Sequence, residues 1–140
     1  MNTNQDSKHM KQEDKELVLI DLSARLPYHV RVKVWLKDGT TEEGILDLKH
    51  NYGDVLRDAF YYNKIVDIKP YLRPMSSMTE EERKEYASLC NRQDIDTPTW
   101  SKTIWHDTYK SIDWLNKNMF DYRGLIEKGL ALEAPEGMYK

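Results

Sequence analysis

The chain has 140 residues, enough for one domain with a core of its own, and 24 acidic against 21 basic side chains leave a formal charge of −3. That balance argues against general nucleic-acid binding, and with a third of the residues charged it points to a well-hydrated protein. The single cysteine, Cys90, cannot form an internal disulfide, excludes a cysteine-rich zinc module, and fits a reducing cytoplasm.

The opening residues MNTNQDSKHMKQEDKE carry no apolar run of the signal-peptide kind, and residues 1–12 read as a disordered tail. The longest aliphatic run, Leu17 to Ile20, is far short of a membrane span. From Glu13, EDKELVLIDLSARLPY reads as a helix. Val18, Leu22 and Leu26 fall at i, i+4 and i+8, with Leu19 widening the stripe, and Pro27 ends it.

A hairpin follows, YHVRVKVWLKDGTTEEGILDL, around which the other elements are expected to pack. Val30, Val32, Val34 and Leu36 alternate with Arg31, Lys33, Trp35 and Lys37, the period of a strand with one buried face. Loop length decides the register. A two-residue loop would set Val34 opposite Glu43 and mix the faces. A three-residue loop, Lys37-Asp38-Gly39 with Gly39 left-handed, sets Val30 opposite Leu46, Val32 opposite Gly44 and Tyr28 opposite Leu48. It also pairs Lys33 with Glu43 and His29 with Asp47. The three-residue loop is therefore expected. Arg31, Lys33, Trp35 and Lys37 would then form either a cationic platform around an aromatic or, as Glu42, Glu43 and Asp47 suggest, a solvated face of balanced charge.

KHNYGD reads as a loop, and Asp54–Tyr62 fits helix or strand equally. Residues 64–68, KIVDI, read as a strand closed by Pro70, which has no N–H for a ladder. Thr79 with Glu82 three residues on is a capping box, opening a helix to about Cys90 that buries Tyr86, Leu89 and Cys90. An acidic metal site at Glu80–Glu82 is the lesser reading, because consecutive carboxylates on a helix diverge. Thr97-Pro98 starts the next helix, where Trp105, Tyr109, Ile112, Leu115 and Met119 trace a core stripe beside Trp100 and Trp114. Asp121 caps a last short helix, YRGLIEKGLAL, whose two glycines would allow close backbone approach. Residues 133–140, with Pro135 and Gly137, read as a second tail.

These elements predict one α+β domain over residues 13–132. An N-terminal helix leads into a small antiparallel sheet, curved or barrel-like in one variant, and two to three helices close the chain.

No phosphate loop, dinucleotide fingerprint, zinc-protease helix or paired cysteine is present, and His9, His29, His50 and His106 are scattered. No catalytic residue, metal or cofactor is expected. Two mixed motifs stand out, PYLRP (Tyr71, Arg73) and DYRG (Tyr122, Arg123), because tyrosine and arginine carry affinity on binding surfaces. With Trp35 they are the candidate binding residues; the same side chains serve equally to tie loops to a domain.

LSARLPYHVRVKV, IKPYLRPMSSMTEEER and FDYRGLIEKGLALEAPEGMY together resemble a set of short proteins encoded by Bacteroides-type gut bacteria and by their phages and prophages. The resemblance runs over most of residues 17–139 and brings no catalytic residue with it. It implies a small accessory protein of a mobile element, acting inside a bacterial cell. Three functions are carried forward. The first is non-enzymatic binding of a host or phage protein. The second is an anti-defence, sponge-like binder of nucleotides or cyclic oligonucleotides. The third is a small hydrolase or nuclease.

Overall fold

A computed structural model of the chain describes residues 11–46, 65–90 and 100–139. Helix α1 (Gln12–Arg25) runs through a 3₁₀ turn at Leu26–Tyr28 into strands β1 (Val30–Leu36) and β2 (Thr41–Leu46). Strand β3 (Ile65–Leu72) follows, then helices α2 (Glu80–Leu89) and α3 (Trp100–Lys117) and a short strand β4 (Leu132–Glu133). This is an α+β fold with an N-terminal helix, one sheet, and two helices after it.

The hairpin has the expected register: Val30 opposes Leu46, Val32 opposes Gly44 and Lys33 opposes Glu43. The Leu36 amide donates to the Thr40 carbonyl at 2.9 Å, so three residues form the loop, with Gly39 left-handed at φ 90°. Asp38 holds it by accepting from the Thr40 amide and hydroxyl, contacts that also lower its pKa. The pairs expected for Leu48 and Asp47 lie outside the described residues, as do residues 1–10, Asp54–Tyr62 and the Thr97-Pro98 cap.

Several expectations change. The sheet is mixed, in the order β2-β1-β3-β4, because β4 joins β3 in parallel; its described strands do not close into a barrel. Pro70 does not close β3 but sits inside it, opposite Val32. The hairpin explains why. The Leu36 amide points to β2, so the even residues of β1 bond that way and its odd residues bond toward β3. Val32 and Pro70 are therefore a non-hydrogen-bonded pair, and the nitrogen that lacks a proton faces away from β1.

On α1, Val18 and Leu22 are buried, but Leu19 is 51% exposed and the rest of the inward row is Asp21 and Arg25. On α3, Tyr109 and Ile112 are exposed, while Ser111, Trp114 and Leu115 turn inward. The expected last helix is a single turn. The Leu130 amide bonds to Leu125 O at 2.8 Å and the Gly129 amide to Ile126 O at 3.0 Å, with Gly129 at φ 72°, which closes it as a Schellman motif. A Cβ at Gly124 or Gly129 would meet nothing within 4 Å, so positive φ, not close approach, selects glycine there. Asp121 does cap this turn, accepting from the amides of Leu125 and Ile126 at 2.8 and 2.9 Å.

The segment expected as a second tail is tied to the domain. Ala134 donates to Leu72 O at 2.7 Å, and Tyr139 packs against the main core of Val18, Leu22, Val30, Leu46, Leu72 and Leu125. A smaller core joins Trp114, Leu115 and Phe120 to Tyr86 and Leu89 of α2. Cys90, expected inside, is half-buried at the end of α2.

These placements separate two leucines that the sequence pattern groups together. Leu22→Ala is expected to cost about 2–5 kcal/mol as a buried large-to-small change. Leu19→Ala is expected to stay within about 0.5 kcal/mol. Urea unfolding of both variants checks the pair, and equal losses would put Leu19 in the core after all.

Candidate functional site

The candidate residues come from three places: Trp35 near the end of β1, Tyr71 and Arg73 where β3 ends, and Tyr122 and Arg123 after α3. The end of β3 matters most, because there the strand changes partners. Beyond Pro70 it leaves β1 and pairs with β4, through Tyr71–Leu132 and Leu72–Glu133. Arg73 then bridges the segment after α3: its amide donates to Met119 O at 2.7 Å and its carbonyl accepts from the Asp121 amide at 2.8 Å.

α3 delivers that segment through its own Schellman closure. The Phe120 amide bonds to Leu115 O at 3.0 Å and the Met119 amide to Asn116 O at 3.2 Å, with Met119 left-handed at φ 62°. A non-glycine residue in that conformation is strained, and burial of the Met119 side chain in the main core offsets the cost. Phe120, wholly buried, is thereby set at the junction.

Around Phe120 the side chains stack. The Arg73 guanidinium lies 4.1 Å from the centroid of its ring, Trp114 stacks on it at 5.5 Å, and Tyr86 stacks on Trp114 at 5.6 Å. Arg73 also makes a two-pronged ion pair with Glu82, at 2.9 and 2.7 Å. Glu82 serves the capping box as well, accepting from the Thr79 amide at 2.9 Å while Thr79 Oγ1 accepts from the Glu82 amide. The bonds from Arg73 hold the Glu82 carboxyl down at about 2, with partial burial opposing.

Tyr122 and Arg123 meet α1. Arg25 and Asp21, both 0% exposed, are paired at 2.9 and 3.1 Å, and Arg25 Nη2 also donates to the Phe120 carbonyl at 2.7 Å. Arg123 Nε reaches Asp21 at 3.2 Å, so one buried carboxylate answers two guanidinium groups. The Tyr122 ring receives both cations, at 5.3 Å from Arg25 and 4.8 Å from Arg123. Its hydroxyl accepts from Arg123 and donates to Asn116 Oδ1 at 2.8 Å. Arg25 Nη1 is buried without an acceptor among the described residues.

Tyr71 is buried as well. Its hydroxyl donates to Glu43 across the sheet, and burial and then that carboxylate push its pKa up to about 12. Four of the five candidates thus direct polar groups at partners within the domain: Arg73 at Glu82, Tyr122 at Asn116, Arg123 at Asp21 and Tyr71 at Glu43.

Trp35 forms a separate group. Lys33 and Lys69, directly opposite each other in the β1–β3 register, each hold an ammonium 5.4 Å from its ring. Asp67, opposite Trp35, comes within 3.9 Å of Lys69. Burial raises the Asp67 pKa against that charge, and its Oδ1 finds no donor among the described residues. Glu43, opposite Lys33 in the β1–β2 register as expected, also takes the Tyr71 hydroxyl.

Asp21, Arg25, Asn116, Lys69 and Tyr139 were not among the candidates. For Asp21 and Arg25 a signal existed, since they share a helical row with Val18 and Leu22 at spacings of three and four. Tyr139 carried none. Among the described residues no group of three His, Cys, Asp or Glu side chains converges as a metal site. No helix of the described residues is long and apolar enough to cross a membrane. Comparison with family models, curated proteins and solved structures finds no match to this chain.

Glu82 gives a pH test. Its folded pKa lies below the ordinary value of 4.5, so the ion pair stabilises the domain at neutral pH and is lost as pH falls from about 4.5 through about 2. Glu82→Gln keeps a capping-box side chain and removes the charge. Because the pair is partly solvent-screened, the variant should lose on the order of 1 kcal/mol at pH 7. That gap should close in acid, as urea midpoints measured from pH 7 to 2.5 would read. Asp21→Ala strands a buried guanidinium and should cost about 3–5 kcal/mol at neutral pH in the same assay.

Proposed function

We propose that the chain is a non-enzymatic accessory protein of a phage or prophage, acting in the bacterial cytoplasm by binding a host or phage protein. The observation that carries this reading is the apolar exposure on α1 and α3, two helices in contact with each other. Leu19 is 51% and Ile20 56% exposed on α1; Tyr109 is 65% and Ile112 40% exposed on α3. Large apolar side chains on neighbouring helices suit a protein partner better than a small polar ligand. The candidate arginines and tyrosines add nothing to this reading, since internal partners already engage them. The cellular context rests on the resemblance to the Bacteroides phage and prophage set.

One observation favours a second reading, a nucleotide or cyclic-oligonucleotide binder of the anti-defence type. Trp35, with the ammonium groups of Lys33 and Lys69 beside its ring, combines an aromatic surface with phosphate-seeking charge. Tyr71, Arg73, Tyr122 and Arg123 lend it no support, their polar groups being occupied.

Affinity capture from bacterial lysate with the whole chain as bait distinguishes the readings. A stoichiometric protein should be retained by the wild type and bound at least about tenfold more weakly by an Ile20→Glu, Ile112→Glu double variant whose melting temperature is unchanged. A partner held equally by that variant, or no partner, counts against the helical surface. A nucleotide released from the purified protein on denaturation, and lost in Trp35→Ala, would bring the second reading forward.

A further inference from the structure

The parity of β1 leaves one inter-strand position unfilled. Arg31 is an odd residue whose amide points toward β3, and Tyr71 is the residue the β1–β3 register would set opposite it. The direct ladder nevertheless stops at Val32–Pro70. The Tyr139 hydroxyl occupies the gap: it accepts from the Arg31 amide at 2.9 Å and donates to the Tyr71 carbonyl at 2.7 Å. A side chain 68 residues further along than Tyr71 thus stands in for a missing ladder bond.

The segment that brings Tyr139 there is held at its two ends. Ala134 bonds to Leu72 O beside β4, and Tyr139 is anchored by its ring and hydroxyl. Between them Pro135, Glu136 and Gly137 are exposed, and among the described residues their only backbone bond, Met138 included, is a single turn, Met138 N to Pro135 O at 3.1 Å. Gly137, at φ 83°, makes that turn. A segment with one anchoring side chain and a solvent-facing middle is the kind of unit that opens below the free energy of global unfolding.

We infer that residues 134–139 form a strap, which opens while the rest of the domain stays folded and thereby exposes the Arg31 N–H and the Tyr71 C=O between β1 and β3. The sheet has no second described group to close that position. Opening therefore leaves an unpaired donor and acceptor at the point where β3 changes partners. The strap is independent of the helical surface proposed above: it lies on other residues, and its failure would leave that reading untouched.

Native-state hydrogen exchange on the wild-type chain tests this directly. The Arg31 amide should exchange with a denaturant dependence near zero, because strap opening uncovers little surface, while the Phe120 amide should follow the steep slope of global unfolding. Tyr139→Phe keeps the ring and deletes both hydrogen bonds. It should speed Arg31 exchange by about tenfold or more, the equivalent of one to two net hydrogen bonds, with Phe120 exchange changed much less. If Arg31 in the wild type shares the protection and slope of Phe120, the strap opens only when everything does and the inference fails.

Discussion

Everything on the helical side of this domain depends on a guanidinium group with no access to water. Arg25 is fully buried, and a charge there is tolerable only if neighbouring groups replace its hydration. Asp21 supplies the countercharge from the preceding turn of the same helix, and the Phe120 carbonyl supplies a fixed dipole from the segment just after α3. That last bond is what gives the pair architectural consequence. It ties α1 to a backbone atom 95 positions away, so α1 can keep its inward row only if α3 terminates where it does.

The termination in turn rests on Met119. Its left-handed backbone turns Phe120 back beneath α3, where its ring carries Trp114 on one side and Arg73 within 4.1 Å. Arg73 follows directly on β3 and pairs with Glu82 in the first turn of α2. Sheet, α2 and α3 therefore meet through one aromatic ring and one guanidinium, and α1 joins them through the carbonyl of the same residue. A planar cation suits this junction because one face can rest on an aromatic while its edge satisfies a carboxylate; a lysine could not do both.

The parts of this fold that were legible in the sequence are those governed by short-range rules. The hairpin register followed from matching faces across a three-residue loop, and the capping box and the Asp121 cap followed from local spacing. The parts that were not legible involve competition between distant segments. Leu19 and Asp21 lie on opposite flanks of the Val18–Leu22 row of α1, and hydrophobicity alone puts the leucine side inside. Arg25 and Arg123 reverse that choice by donating to Asp21, and the remote Phe120 carbonyl accepts from Arg25 in turn. Pro70 looked like a strand end because the rule about its missing proton is correct, yet the rule applies to one side of the strand only. Tyr139 had no local signature, since its role is defined by a gap between strands far from it in sequence.

The same competition explains why tyrosine–arginine motifs were ambiguous evidence for a binding surface. What makes arginine and tyrosine effective at interfaces, an apolar body with a directional polar tip, also makes them effective at joining elements within a chain. Composition cannot tell which use a given pair serves; only the presence of a nearby carboxylate or carbonyl can. Here Glu82, Asp21 and Glu43 stand at those places, and the motifs turn inward. With polar contacts absorbing these side chains, the apolar residues that the helical pattern would have buried, Leu19, Tyr109 and Ile112, are left facing outward. Burying polar networks at the junction and exposing apolar side chains on α1 and α3 are thus two consequences of one packing choice, and the second is what gives the outer surface its character.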